Sequence, residues 1–117
     1  MTEPSSSVAA DIAQAQRLLS SGQLVDAQTL INGVLEISPE DIDGLYTYAV
    51  IQRLNKRPVD ALKTLGKIIQ RQPNMARAYQ ERALNELALN RPMPAGKALE
   101  SAVAQDPSLL KSWQLLV

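Results

Sequence analysis

The fold of this chain is decided by the stretch Ile42 to Met75, IDGLYTYAVIQRLNKRPVDALKTLGKIIQRQPNM, because its pattern returns every 34 residues. Three prolines, Pro39, Pro73 and Pro107, mark this period. A unit of about this length with a proline near its end is typical of a two-helix repeat, which cannot bury its apolar face alone and stacks on copies of itself. The sequence therefore predicts an all-α solenoid that offers a surface to other molecules.

Small residues recur with the same period in both predicted helices of each unit. They are Ala15, Ala49 and Ala83 in the first helices and Ala27, Ala61 and Ala95 in the second. A methyl group lets two antiparallel helices approach closely, whereas a larger side chain would wedge them apart at a cost of about 1 to 3 kcal/mol. We therefore expect these alanines where the two helices of each hairpin cross.

Turn residues and apolar spacing predict seven helices. Pro58 and Pro92 suit the first turn of a second helix, and the residue before each repeat proline disfavours helical geometry. The predicted helices cover residues 8–21, 24–37, 40–55, 59–71, 75–89, 93–104 and 108 onward. Their core faces are expected to consist of aliphatic columns with the same period: Ile31, Leu65, Leu99; Val34, Ile68, Ala102; Leu35, Ile69, Val103.

Composition fits a helical repeat protein and argues against several other classes. The chain has 117 residues, of which 45% are hydrophobic and 3% aromatic. No apolar run reaches the roughly 18 residues of a membrane span, and residues 1–7 lack the basic start and apolar stretch of a secretion signal. We therefore expect a cytoplasmic protein without a membrane partner.

Residues for common catalytic and metal chemistry are missing. The chain has no histidine and no cysteine, and its five glycines are scattered singly. The usual general base, the zinc ligands and a phosphate-binding loop are therefore absent, and we predict no catalytic site, cofactor or metal. The acids Glu40, Asp41 and Asp43 could suggest a cation site, but acids in a first helical turn more often complement the helix dipole.

The repeat resembles the tetratricopeptide repeat family, whose pattern of a large residue, a small residue, an alanine, an aliphatic residue and a closing proline matches these columns. The resemblance covers nearly the whole chain and implies a superhelix of antiparallel helix hairpins. It implies repeats over residues 8–41, 42–75 and 76–109, and the start of a fourth repeat or a capping helix over 110–117. Residues 1–7 fall outside the resemblance, and we expect them to form a flexible lead-in.

In this family the first helices of the repeats line a concave groove that holds a peptide or a partner helix. The resemblance thus implies a protein-protein interaction module with the groove residues Ile12, Gln16, Leu19, Asp43, Tyr46, Thr47, Val50, Arg53, Arg77, Gln80, Glu81 and Leu84. Some members clamp chaperone tails with five polar residues. Here those places hold Ile12, Gln16, Thr47, Arg77 and Glu81, and of these only Arg77 has the required charge. A chaperone clamp is therefore not expected. The alternative to a binding groove is that the groove residues simply form a solvent-exposed helix face.

Arg82 and Glu86 occupy two places where the family usually buries leucine and tyrosine. Because they are four residues apart on one predicted helix, we expect them to pair with each other. The alternative is a polar contact with a neighbouring domain or ligand.

Charge is unevenly distributed along the chain although the net charge is zero. Residues 1–47 carry seven acids and one arginine, whereas residues 48–117 carry eleven basic and five acidic residues. Lys63, Lys67 and Arg71 form a basic stripe that could steer an acidic partner or be a solvated helix face. Since no aromatic residue interleaves the stripe, nucleic acid is not expected as a partner.

The last predicted helix carries an apolar face formed by Leu109, Leu110, Trp113 and Leu116. Its hairpin partner is missing, so either the chain is cut from a longer protein or this helix caps the third repeat. An exposed face of this kind would promote self-association.

A second, weaker resemblance connects the stretches Arg77 to Pro92 and Pro107 to Trp113 with the N-terminal repeat region of bacterial proteins that carry a sulfotransferase domain downstream. It implies an alternative function as an accessory or oligomerising domain of a larger enzyme. No motif for binding a sulfonate donor lies within the 117 residues of the chain.

Overall fold

The computed structural model describes residues 4–116, with side chains from residue 7 onward, and within this range it consists of helices and short connections without strands. The helices are α1 (Pro4–Ser20), α2 (Leu24–Ile37), α3 (Ile42–Leu54), α4 (Pro58–Arg71), α5 (Ala76–Ala88), α6 (Pro92–Gln105) and α7 (Leu110–Leu116). The predicted all-α fold with seven helices is confirmed for the described residues.

Consecutive helices pack as hairpins, α1 with α2, α3 with α4 and α5 with α6, and each second helix also packs on the next first helix. In addition, α1 touches α3 and α3 touches α5. The first helices therefore stand side by side along one wall of an elongated molecule that measures 49 × 26 × 23 Å. None of the described helices is long and apolar enough to cross a membrane.

The repeated alanines are buried in the cores of the hairpins. Ala15 and Ala27 share one cluster and Ala83 and Ala95 share another, as expected where the two helices of a hairpin meet. The first cluster also contains Ile51 from α3, so the core continues from one hairpin into the next. This continuity is what a stack of units that cannot fold singly requires.

Helix α1 begins at Pro4 rather than at Val8. Residues 4–7 are therefore helical, because proline fits the first turn of a helix, where its missing amide hydrogen has no partner to lose. That residues 1–7 form a flexible lead-in stays a prediction. The part of that prediction that concerns residues 1–3 lies outside the described range, as does Val117 in the predicted last segment.

Helix α3 begins at Ile42, two residues later than predicted, because Asp41 is its N-cap. The Asp41 backbone is extended, and its Oδ1 accepts a hydrogen bond of 2.8 Å from the Gly44 amide. A carboxylate in this position satisfies an otherwise unpaired amide and complements the helix dipole. Among residues 4–116, no group of three or more acids is arranged to hold a metal ion.

Helix α7 begins at Leu110 rather than at Ser108 because Asp106 holds the preceding turn. Its Oδ1 accepts hydrogen bonds from the Ser108 hydroxyl at 2.6 Å and from the Ser108 amide at 3.0 Å. Both hydrogen bonds lower the pKa of the Asp106 carboxyl, and the one from the Ser108 hydroxyl has the larger effect. Ser108 is thereby kept in the turn and does not join the helix.

The turn inside each hairpin contains one residue in the left-handed region, at Gly22, Lys56 and Asn90, with φ of 78°, 62° and 59°. These residues are again 34 apart. They follow the ends of the first helices, where the chain must reverse direction and where glycine is the residue that adopts this geometry without strain. Only the first hairpin has a glycine there.

We expect Lys56→Gly to raise the free energy of unfolding by about 0.5 to 1 kcal/mol, because it relieves the left-handed strain of a side-chain-bearing residue. Urea denaturation measures the change. The reverse substitution Gly22→Ala is the matched control and should lower stability by a similar amount, since an added Cβ there meets no atom within 4 Å and only the backbone is strained. A loss of stability in Lys56→Gly would contradict this account.

Candidate functional site

The concave wall formed by α1, α3 and α5 contains two adjoining depressions. The first, here called the groove pocket, has a volume of about 290 Å³ and is lined by Gln16, Leu19, Tyr46, Thr47, Val50 and Arg77. All six residues belong to the predicted groove. The structure thus brings side chains from three separate helices to one place.

The second depression, here called the acidic pocket, has a volume of about 400 Å³ and shares Gln16 and Arg77 with the groove pocket. Its other lining residues are Val8, Ala9, Ile12, Ala13, Ser38, Asp41 and Asp43. Most of these were missed by sequence reasoning, because they come from the start of α1 and from the loop before α3 rather than from the repeated groove positions.

Polar side chains of the wall are hydrogen-bonded to one another across successive first helices. Gln16 Nε2 donates to Thr47 Oγ1 at 3.2 Å, and Arg77 Nη2 donates to Asp43 Oδ1 at 2.8 Å. The same pattern continues toward α7, where the Ser112 hydroxyl donates to Gln80 Oε1 at 2.6 Å. These hydrogen bonds connect neighbouring helices of the wall. They use polar side chains of the predicted groove that were expected to contact a partner.

Arg53 and Glu81 form the most buried of these contacts. Both Nε and Nη2 of the Arg53 guanidinium donate to the Glu81 carboxylate, the latter at 3.2 Å from Oε1. The Glu81 side chain is 4% exposed and that of Arg53 27%. Asn85 Nδ2 donates to the Glu81 carbonyl oxygen at 2.8 Å and lies 3.3 Å from Glu81 Oε2. Arg53 is thus a neutralised part of the wall and not a free charge beside the groove.

Asn85 is fully buried, and its Oδ1 has no hydrogen-bond partner among the described residues. The equivalent residue one repeat earlier is Ile51, which is buried in the first core cluster. A polar residue at this core position was not singled out from the sequence. The sequence signal that could have identified it is the change from the apolar Ile51 to a polar residue at the same position of the next repeat.

Tyr46 lies at the centre of the wall and is half-buried. The Arg77 guanidinium carbon is 4.8 Å from the centroid of the Tyr46 ring, a geometry that favours a cation–π interaction. Burial raises the pKa of the Tyr46 phenol above its ordinary value of 10.0, and the Glu81 carboxylate adds to the rise, whereas Arg77 and Arg53 oppose it. Arg77 is consequently held between an aromatic face and the Asp43 carboxylate, with about half of its side chain exposed.

The predicted groove residues differ in how much surface they offer. Ile12, Thr47 and Glu81 are buried, because their side chains face the contacts between neighbouring helices. The side chains that remain partly or fully exposed are Gln16, Leu19, Asp43, Tyr46, Val50, Arg53, Arg77, Gln80 and Leu84. In the groove pocket a ligand would therefore meet the apolar side chains of Leu19, Tyr46 and Val50. Gln16 and the Asp43–Arg77 pair border this surface.

The predicted pair of Arg82 with Glu86 does not form. Glu86 is buried and lies 3.4 Å from the guanidinium of Arg91, which follows the helix and folds back onto it. Arg82 is exposed and points to the other face of α5, where it lines a small depression between α5 and α6. The spacing of four residues was correct for a helix, but the turn after α5 supplied a closer partner for the carboxylate.

The predicted basic stripe is only partly free. Arg71 forms an ion pair with the Glu40 carboxylate and donates to the Glu40 carbonyl oxygen at 3.2 Å. This contact ties the end of α4 to the loop before α3. Lys63 and Lys67 remain exposed on α4, and no described acid is paired with either of them.

The apolar face of α7 is divided between packing and solvent. Leu116 packs on the third core cluster, whereas Leu110 is 68% and Trp113 46% exposed. Trp113 Nε1 donates to the Pro107 carbonyl oxygen at 2.7 Å, just as the Tyr79 hydroxyl donates to that of Pro73 one repeat earlier. Tyr79 and Trp113 therefore anchor α5 and α7 to the proline turns that precede them.

Residues 18–87 match the family model of the tetratricopeptide repeat. The chain belongs to the tetratricopeptide repeat family. Its solved structural neighbours include the first TPR of Spaghetti (RPAP3), with 15% identity, a TM-score of 0.83, and coverage of 93% of this chain and 86% of that one. The TPR2B domain of yeast Sti1 has 19% identity, a TM-score of 0.82, and coverage of 94% and 93%.

A further solved neighbour is a mutant of the Thermobaculum terrenum O-GlcNAc transferase, with 16% identity and a TM-score of 0.93. The likeness covers 99% of this chain but only 22% of the transferase. At these identities the neighbours establish the fold alone. No curated protein sequence is similar enough to this chain to count as a relative.

Proposed function

We propose that this tetratricopeptide repeat chain is a protein-protein interaction module that holds an extended segment of a partner protein on its concave wall. The observation that carries the proposal is the groove pocket, where Leu19, Tyr46 and Val50 give a mostly apolar floor beside Gln16 and Arg77. An apolar depression with a few oriented polar groups is the usual form of a ligand site. The proposed location is the cytoplasm.

Two structural neighbours support peptide binding by this fold. The first TPR of Spaghetti is described as bound to the HSP90 peptide SRMEEVD, and TPR2B of Sti1 as a complex with pHsp70. The clamp places in this chain are filled differently, and among them Thr47 and Glu81 are buried and hydrogen-bonded within the wall. The proposed partner is therefore not a chaperone tail held by a carboxylate clamp.

The proposed binding mode uses an apolar anchor and few polar contacts. A partner side chain would enter the groove pocket over Val50 and Leu19 and pack against the Tyr46 ring. Gln16 and Arg77, on the border shared with the acidic pocket, would hydrogen-bond the partner backbone. Since the wall is stiffened by its own hydrogen bonds, less side-chain ordering would be needed on binding.

The test begins with peptides selected from a random library on the whole chain. Val50→Glu should weaken the selected peptide about tenfold or more, because a carboxylate would have to be desolvated under the apolar anchor. Leu54→Glu is the matched control, since Leu54 is an exposed residue one turn further along α3 that lines neither depression. It should leave affinity within about twofold.

The melting temperatures of both variants are measured alongside the affinities, so that a loss of folding is not mistaken for a loss of binding. Equal affinities of Val50→Glu and wild type would overturn the groove proposal. Equal weakening by both variants would place the site elsewhere on the molecule.

The alternative function is that of an accessory or oligomerising domain in a larger enzyme. The exposure of Leu110 and Trp113 on α7 supports it, because such a face is normally covered. Self-association through this face stays a prediction, as does the connection with a sulfotransferase. The groove is favoured since its side chains converge from three helices.

A further inference from the structure

A depression of about 190 Å³ lies between α5 and α6, away from the concave wall, and is lined by Tyr79, Arg82, Pro94, Lys97, Ala98 and Ser101. We propose that it is a second recognition site, which binds the carboxylates of an acidic segment of a partner protein. It is called the cationic pocket below. None of its lining residues belongs to the groove pocket or the acidic pocket.

Arg82, the arginine of the cationic pocket, has no counter-ion among the described residues. Arginines that line other surface depressions of the described residues are ion-paired: Arg77 with Asp43, Arg57 with Asp60, and Arg71 with Glu40. Arg82 forms no ion pair with any residue between 4 and 116. Its one acidic neighbour at helical spacing, Glu86, is taken by Arg91.

The cationic pocket carries a net positive charge. Arg82 on α5 and Lys97 on α6 both line it, and its remaining lining residues include no acid. Two positive charges brought together from different helices repel each other and would be stabilised by an anion between them. Ser101 adds a hydroxyl that can donate a hydrogen bond, whereas the Tyr79 hydroxyl already donates to Pro73.

The chemistry of the lining favours a carboxylate side chain over a free anion. An arginine guanidinium pairs with a carboxylate through two parallel hydrogen bonds, and its planar fork suits this geometry better than an ammonium group does. Pro94 and Ala98 add apolar surface to the same lining. The methylene groups of a glutamate side chain can pack there, while an inorganic ion would leave that surface wet.

The experiment measures binding of a fluorescent tetraglutamate peptide to the whole chain at about 50 mM salt, where exposed charges are weakly screened. The double variant Arg82→Gln/Lys97→Gln should weaken binding about tenfold, since it removes both cations of the pocket. The matched control is Lys63→Gln/Lys67→Gln, which removes the same charge from two exposed lysines of α4. It should change affinity less than about twofold.

Equal weakening by the two double variants would overturn the proposal, because the peptide would then be responding to the general positive field. Failure of the peptide to bind at millimolar concentration would also overturn it. Inorganic phosphate is the second probe: if it displaces the peptide and binds more tightly through the same two residues, the carboxylate assignment is wrong.

As a further control, Arg82→Gln/Lys97→Gln should leave the affinity for the peptide selected for the groove unchanged, since neither residue lines the groove pocket. The outcome for the cationic pocket is thereby independent of the outcome for the groove.

Discussion

Ile68→Ala is expected to lower the free energy of unfolding by about 2 to 5 kcal/mol, the range for deleting a large aliphatic side chain from a packed core. Ile68 has no exposed surface and lies in the second core cluster with Leu45, Ala49, Leu65 and Ala78. This cluster draws on α3, α4 and α5, so a cavity there weakens both the second hairpin and its junction with the third.

Urea denaturation followed by circular dichroism measures this effect. Ile37→Ala is the matched control, because the same atoms are removed from a side chain that is 62% exposed, and it should cost less than about 1 kcal/mol. A loss in Ile68→Ala no larger than that of the control would mean that the hairpins do not share one core. Since the units stack, we also expect the loss to appear as a lower midpoint for the whole chain.

Glu81→Ala is expected to lower the free energy of unfolding by about 2 to 3 kcal/mol. The substitution removes the carboxylate that binds the Arg53 guanidinium, and hydrogen bonds to charged groups contribute about 1.5 to 3 kcal/mol. The higher cost of breaking a fully buried pair is not expected, because the Arg53 side chain is partly exposed and can turn toward water.

A double-mutant cycle with Arg53→Ala separates the pair from other effects of the substitution. We expect a coupling free energy above about 1 kcal/mol, measured by urea denaturation of the four proteins. The matched cycle on Arg57 and Asp60, an exposed pair at 3.9 Å, should show less than about 0.5 kcal/mol. Equal coupling in both cycles would contradict the assignment of Arg53 and Glu81 as the most buried polar contact of the wall.

The interior of this protein was largely predictable because every hairpin must pack two antiparallel helices closely against each other and against the next hairpin. The buried alanines at Ala15, Ala49 and Ala83 and the proline turns are local solutions that recur every 34 residues. A pattern of this kind is visible without coordinates. The helix bounds differed from prediction where a single side chain intervened, as at Asp41, whose cap delays the start of α3.

The surface was less predictable because side-chain partners are chosen by distance in space. Glu86 had two arginines within reach along the chain, and the turn after α5 brought Arg91 to it and left Arg82 free of any described ion pair. In the groove, Arg53 and Glu81 are 28 residues apart, and their pairing depends on how closely α3 and α5 stand.

The order of the helices, their hairpin pairing and the membership in the tetratricopeptide repeat family follow from the sequence by itself, since periodic burial leaves one way to stack the units. Only the tertiary structure decided which polar groups are hydrogen-bonded or ion-paired within the wall, and which charged side chains stay unpaired and accessible to a partner. The reason is that an ion pair depends on a few ångströms between side chains of different helices, and no spacing along the chain encodes that distance.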